Sequence, residues 1–422
     1  MFEWLPWVFL GALAFFGMGW LVARIDIKQL LLESRAMPQA YFRGLNFLLN
    51  EQQDKAIESF MEVTQANPAA IELQFAIGSL FRRRGEVDRA IRVHQDISER
   101  NSVSVEYRTD ALLELAIDYQ KAGLLDHAQR ILGDLSARQA GNRAQQEQTL
   151  KLLLAIHVQE RDWQRAIDVA LRLQAGDADD RIFATRMREI AHYHCELAVI
   201  AHEQANAGEA GRHLQGALAV NPQCIRANLL RGEWFAAAGD HAGAIAEWLK
   251  IEAQDPAYLG LMAEQLLTSY ESVGKATEGL VVLHNLQRQY PALDLLTALF
   301  RATLESNGPE AARDLVKDDL RRNPTLVGLD RLLEAQLLSA SGENREDLQV
   351  LKDVVHSHAQ RLAVYLCGNC GFKAKQFHWQ CPACGGWEAF PPRQTAEYDI
   401  SERHLVRAQV ESMQLAERTN SR

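Results

Sequence analysis

Gly44, Phe47, Ala56 and Phe60 reappear 34 positions later as Gly78, Phe81, Ala90 and His94. A chain that repeats itself at this interval is built from units too small to bury their own apolar faces, so each must stack on its neighbours. The set returns at Gly232, Phe235, Ala244 and Trp248, where Pro256 stands 34 residues after Pro222. Between these blocks the register drifts. Ala90, Ala128 and Ala166 are each 38 residues apart, so the middle units carry short insertions, and Ala210 restores the 34-residue step to Ala244. Asn67-Pro68, Asn221-Pro222, Asp255-Pro256 and Asn323-Pro324 mark the turns between units, because the residue before a proline is driven out of the helical region.

This is the tetratricopeptide (TPR) pattern, two antiparallel helices per unit. Small residues at the Gly44 and Ala56 positions let the two helices approach, and Phe47 and Phe60 fill the space beside them. It predicts an all-α superhelical solenoid of eight or nine units over residues 37–352, with the register hard to follow from about Ser269. The first helix of each unit lines the concave side, where such arrays hold peptides or protein partners, so the expected function is recognition. Arg82 and Arg83, at the end of the second unit's first helix, are candidates for meeting an acidic partner. The alternative is a solvated charge run before the Gly85 turn.

Ahead of the array, Trp4 to Ala23 is a run of twenty residues without a charge, about 30 Å as a helix and matched to a bilayer's hydrocarbon core. Trp4, Trp7 and Trp20 sit near its ends, where indole rings favour the interface. A cleaved signal peptide fits less well, because Met1-Phe2-Glu3 has no basic residue and the apolar run is long. Residues 1–23 are therefore expected to be a retained transmembrane helix and 24–36 a juxtamembrane linker. Arg24, Lys28 and Arg35 follow the span and nothing basic precedes it, which places the rest of the chain in the cytoplasm. The formal net charge of −10 argues against nucleic acid as a partner.

Beyond the array comes Cys367-x-x-Cys370, ten intervening residues, then Cys381-x-x-Cys384. In a reducing compartment, paired C-x-x-C turns hold metal rather than forming disulfides. Four thiolates make a tetrahedral site for one ion, zinc or iron, and a closed sulfur shell leaves no open position for substrate water. Gly371 and Gly385 follow the second cysteine of each pair and let the backbone curl, and a tight hairpin through Lys373 to Phe377 is expected to bridge the pairs. Phe372, Phe377, Trp379 and Trp387 are expected to give this module, residues 353–392, a small core and a surface for docking on the array.

Glu189, His192 and Glu196 share a helix face and raise the possibility of a second metal site. The plainer reading is a first helix of a repeat with Cys195 packed inward and its polar residues solvated; Cys224 reads likewise as a small buried hydrophobe. There is no H-E-x-x-H, phosphate loop or nucleophile elbow, so no residue set supports an enzyme.

Anchor, repeats and knuckles, in that order, resemble the lipopolysaccharide assembly protein B family over nearly the whole chain. The most telling stretches are N-F-L-L-N-E-Q-Q-D-K-A-I from Asn46, L-F-R-R-R-G-E-V-D-R-A-I-R-V-H-Q from Leu80, I-A-H-Y-H-C-E-L-A from Ile190 and the H-W-Q-C-P-A-C knuckle. The resemblance implies a single-pass bacterial inner-membrane adaptor that helps the membrane protease FtsH degrade the deacetylase LpxC and so restrains lipopolysaccharide synthesis. It also implies that a rubredoxin-type module packs on the repeats, with Cys367, Cys370, Cys381 and Cys384 as metal ligands. Two other readings stay open: a general TPR scaffold for envelope assembly, and a metal-dependent redox sensor. The polar tail, 393–422, with a possible short helix near His404 to Leu415, departs from the family pattern.

Overall fold

A helix that must reverse direction within two or three residues ends most readily on a residue in the left-handed region, whose neighbours can then satisfy the last free carbonyls. Among the described residues the turns at Glu51, Gly85, Gly123, Arg161, Ala205, Gly239 and Gly274 are built this way, with φ between +58° and +83°. At each, the next amide donates to the carbonyl five residues back, from Gln52 to Phe47, Glu86 to Phe81, Leu124 to Tyr119, Asp162 to His157, Asn206 to Ala201, Asp240 to Phe235 and Lys275 to Tyr270, at 2.8–2.9 Å. Glu51, Arg161 and Ala205 adopt a conformation that costs a residue with a Cβ about 1–2 kcal/mol, so the pairing of helices at those turns outweighs local preference.

The computed structural model describes residues 39–66, 70–174, 180–290, 295–362 and 365–390. The expected anchor, linker, Asn67-Pro68 turn and tail lie outside them. Among the described residues no helix is long and apolar enough to cross a membrane. The chain divides into two compact units at Arg165 and Ala166. The first contains α1 (Gln39–Leu49) and α2 (Gln53–Ala66), α3 (Ile71–Arg83) and α4 (Val87–Glu99), α5 (Val105–Lys121) and α6 (Leu125–Ala137), then α7 (Arg143–Gln159), with α8 (Trp163–Gln174) running across the division. The second continues with α9 (Asp180–Glu203) and α10 (Ala207–Val220), then α11 (Ile225–Ala237) and α12 (His241–Gln254). A 3-10 helix (Pro256–Leu261) leads into α13 (Ala263–Ser272) and α14 (Ala276–Gln289). The next element, α15 (Leu296–Arg322), breaks at Gly308 (φ 84°, ψ 176°), so its halves serve as two successive helices, and α16 (Leu326–Ser339) and α17 (Glu343–Leu362) follow. Residues 343–362 contain no glycine or proline. The last helix therefore runs on to Leu362, and the array's expected end at residue 352 falls inside it.

The repeat's glycines are explained by what sits above them. A Cβ on Gly44 would lie 2.3 Å from the Phe60 ring, one on Gly78 2.4 Å from His94 Nε2, and one on Gly232 2.2 Å from Trp248 Nε1. Within each of these three pairs the second helix lays an aromatic ring on bare backbone of the first. All three rings are buried, and Ala56, Ala90 and Ala244 beside them have no exposed surface. At this packing density neither partner can grow without displacing the other.

In the first unit His94 replaces a hydrocarbon ring and brings a polar network with it. Its Nδ1 lies 2.5 Å from Asp118 Oδ2, and Arg82 donates to Asp118 Oδ1 at 2.7 Å and to Glu114 Oε2 at 2.6 Å. Asp118 is fully buried, a position a carboxylate occupies only when paired.

Candidate metal centre and its seat on the array

The two Cys-x-x-Cys-Gly segments close identically. In the first, Gly371 N–H donates to the Cys367 carbonyl and Cys367 N–H to the Phe372 carbonyl, both at 2.9 Å; in the second, Gly385 donates to Cys381 and Cys381 to Gly386, both at 2.8 Å. Gly371 and Gly385 stand at φ +75° and +71°, where a side chain would be strained. Strand β1 (Tyr365–Leu366) pairs antiparallel with β2 (Lys373–Ala374), and Gly368 N–H reaches the Ala389 carbonyl at 2.7 Å, tying the knuckles together. The bridging segment is thus a strand through Lys373 and Ala374 followed by a bend. The buried centre is Cys367, Cys381, Ala389 and Phe390, with Tyr365, Ala374 and Phe377 packed against it.

This folding brings the four sulfurs within 4.8 Å of one another, with 3.8 Å between Cys367 and Cys384 and between Cys370 and Cys381. A regular tetrahedron with metal–sulfur bonds of about 2.3 Å has edges of about 3.8 Å, so the donor set fits one tetrahedral ion. Burial opposes charge on Cys367, but amides of Cys370 and Asn369 face its sulfur and bring its pKa down to about 7. The Phe372 amide favours a Cys370 thiolate, yet desolvation and the hydrogen bonds of Cys367, Cys384 and Cys381 push that thiol up to about 12. Four negative sulfurs at this spacing would require a cation among them, and a bound metal ion would supply it.

The module is seated on first helices of the second unit. Trp387 stacks on His192 of α9, with centroids 4.7 Å apart and planes 15° apart, and meets Tyr193 edge-on at 6.0 Å. His192 Nε2 lies 2.9 Å from Glu388 Oε1. Trp379 stacks on Tyr258 of the 3-10 helix at 5.4 Å and 3°, and Phe377 meets the same ring edge-on at 6.3 Å. Between them Arg226 of α11, ion-paired to Glu196 at 2.7 Å, stands 5.8–5.9 Å from both indoles. Glu388 presents its carboxylate from a backbone at φ +50°, uncommon for a residue with a side chain.

Several expectations change. Phe372 does not join the core or the dock; it precedes β2 and its side chain is exposed. Phe377, Trp379 and Trp387 all reach the dock. The α9 face carrying Glu189, His192 and Glu196 is neither a second metal site nor simply solvated: His192 is 1% exposed and held by Glu388, while Glu196 holds Arg226. Burial pushes His192 below its ordinary pKa despite the Glu388 hydrogen bond, and raises that of Glu189. Cys195 and Cys224 are buried. Arg82 is engaged by Glu114 and Asp118, so of the expected pair only Arg83 is presented to solvent. Tyr258, Arg226, Glu388 and Phe390 were not anticipated; the one available clue was a Trp-Glu pair following the second knuckle.

Residues 365–392 match the family described as a rubredoxin metal binding domain. Lipopolysaccharide assembly protein B of Escherichia coli (strain K12) is 32% identical over 377 residues, covering 89% of this chain and 94% of that protein. The protein of the same name from Haemophilus influenzae (strain ATCC 51907 / DSM 11121 / KW20 / Rd) is 27% identical over 391 residues, covering 90% and 96%. Among solved structures, a tetratricopeptide repeat protein from Parabacteroides merdae is 13% identical with a TM-score of 0.26, covering 71% of this chain and 98% of that one.

Proposed function

The chain belongs to the lipopolysaccharide assembly protein B family, and from that premise we propose that it is a membrane-held adaptor whose repeat array grips protein partners. Its metal module acts as a structural clasp. The partners in this reading are the protease FtsH and the deacetylase LpxC, with other lipopolysaccharide-assembly proteins alongside them. Holding protease and substrate in one membrane plane raises their effective concentration without new chemistry. Degradation of LpxC then restrains lipopolysaccharide synthesis. Residues 1–23 supply the single-pass inner-membrane tether, with array and module on the cytoplasmic side, and Arg83 is available to an acidic partner.

The observation that carries the clasp is the seat of the metal module. Four sulfurs converge on a closed shell, and the aromatic face beside them is spent on α9, α11 and the 3-10 helix, an arrangement that suits a metal holding shape rather than doing chemistry. Cys367, Cys370, Cys381 and Cys384 would hold one zinc or iron ion, and elemental analysis of the purified chain distinguishes the two.

Deleting residues 1–23 tests the tether. The shortened chain is expected to fold but to leave LpxC long-lived in cells depleted of the full-length protein. Normal LpxC turnover with the soluble form would defeat the tethering reading. An unchanged LpxC half-life on depletion of the full chain would instead favour a general scaffold for envelope assembly.

A further inference from the structure

Two cysteines outside the knuckles lie face to face beside the module's seat. Cys195 is in α9, one turn after His192; Cys224 caps the N-terminus of α11, two residues before Arg226. Their sulfurs are 3.8 Å apart, and both side chains are essentially without solvent contact. The chain brings them together across an intervening helix and two turns, so their proximity is a product of the tertiary fold.

We propose that Cys195 and Cys224 form a redox-active dithiol, oxidised by hydrogen peroxide to a disulfide that fastens α9 to the start of α11 beneath the metal module. The two sulfurs are chemically unequal, as a dithiol of this kind requires. Cys224 faces the Cys195 thiol at 3.8 Å and sits at the N-terminus of α11 near the Ala227 amide, and both hold its pKa down, whereas burial drives Cys195 well above its ordinary value. The Cys224 thiolate attacks one peroxide oxygen and breaks the O–O bond. Sulfenic acid forms, and the departing hydroxide leaves as water after taking a proton. The Cys195 sulfur then attacks the sulfenic sulfur, the S–S bond forms, and a second water departs carrying the Cys195 proton. Two thiols and one peroxide give one disulfide and two waters.

The position gives the bond a consequence. His192 and Arg226, which carry Trp387 and the rest of the aromatic seat, stand on the two helices the disulfide would join. The pair is packed among Ala191, Ala198, Leu214, Ala217 and Ala227 of the repeat helices and meets peroxide only when those helices part, a motion that a module docked on His192 and Arg226 opposes.

Full-length chain exposed to peroxide, alkylated, digested without reduction and mapped by mass spectrometry should yield a Cys195–Cys224 cross-linked peptide that dithiothreitol removes. C195S and C224S should not yield it, and circular dichroism of both verifies that they fold. E388A, which loosens the module, should form the cross-link several-fold faster. Hydrogen exchange along α9 and α11 should slow in the oxidised chain and stay unchanged in peroxide-treated C195S. Oxidation confined to Cys367, Cys370, Cys381 and Cys384 would overturn the proposal, as would a cross-link that leaves exchange in α9 and α11 unaltered.

Discussion

Replacing Glu388 with alanine removes the one hydrogen bond that the buried His192 ring makes among the described residues. Nε2–H donates to the carboxylate at 2.9 Å, and Nδ1 has no partner among the described residues. Without the carboxylate both ring nitrogens sit unpaired under Trp387 while the module is docked, and water satisfies them when it lifts off. Leaving such a donor unpaired costs about 1–3 kcal/mol. The exposed Arg188, 3.8 Å from Glu388, adds little by comparison. Population of the undocked module should therefore rise about 5- to 150-fold. The backbone bonds and small core that hold the knuckles do not use the Glu388 carboxylate, so the knuckles themselves remain folded. With metal bound by the four cysteines, transfer to an excess of chromogenic chelator should accelerate by a comparable factor wherever release passes through the undocked state. E388Q is the control: its amide oxygen accepts from Nε2 at the same reach, and Glu, Gln and Ala all carry a Cβ at φ +50°, so backbone strain is common to the three. Equal release rates for E388A and the parent chain, or E388Q as fast as E388A, would refute this account of the latch.

Burial lowers the His192 pKa below 6.5, so on acidification the exposed ring binds its proton before the docked one does. Docking strength from this source is complete above about pH 6.5 and declines as pH falls toward the lower docked value; hydrogen exchange at residues 377–390 should quicken over that window, and H192F should flatten the response. G232A forces a Cβ to within 2.2 Å of the Trp248 indole and should destabilise by about 1–3 kcal/mol in chemical denaturation, whereas in a W248A background the same change should be neutral or stabilising by up to about 1 kcal/mol. R82A leaves the buried Asp118 with His94 as its remaining partner and should cost about 1–3 kcal/mol, while R83A, on an exposed side chain, should leave the denaturation midpoint in place.

What the sequence disclosed and what it hid follow from the range of the interactions. Gly44 with Phe60 and Gly232 with Trp248 lie 16 residues apart within one helix pair, and every unit that uses this packing repeats the spacing, so periodicity reveals it. The cysteine pairs are likewise local: each turn is written in five residues. His192 and Glu388, by contrast, meet across 196 positions, and nothing in either neighbourhood names the other. Arg82 and Arg83 look equivalent in a row of arginines, yet successive helical residues point about 100° apart. One turns to α5 and is consumed by Glu114 and Asp118, and the other faces solvent. The drifting register also has a local cause: α9 is 24 residues long and α5 and α7 are 17, against 11 to 13 for α1, α3 and α11. Longer first helices keep the same turn geometry but move the next repeat downstream.

The extra length of α9 and the seat of the module belong together. His192 and Tyr193 lie in the middle of that helix, with a full turn or more on either side, and they provide the surface on which Trp387 rests. Arg226 lies at the start of α11 and Tyr258 in the 3-10 helix that precedes α13, so three successive repeats each contribute one element to a single aromatic seat. Those elements belong to the first-helix side, the side on which helical-repeat arrays ordinarily hold a partner. A ligand for that stretch of the second unit would have to exchange its own contacts for the Trp379, Trp387 and Glu388 contacts already made there, and it would gain only the difference. Strengthening the clasp thus closes this stretch to partners, and weakening it opens the stretch at the expense of the metal site. E388A should therefore raise metal release and accessibility of the α9 face together, and a variant that separated the two would show that seat and knuckles are energetically independent.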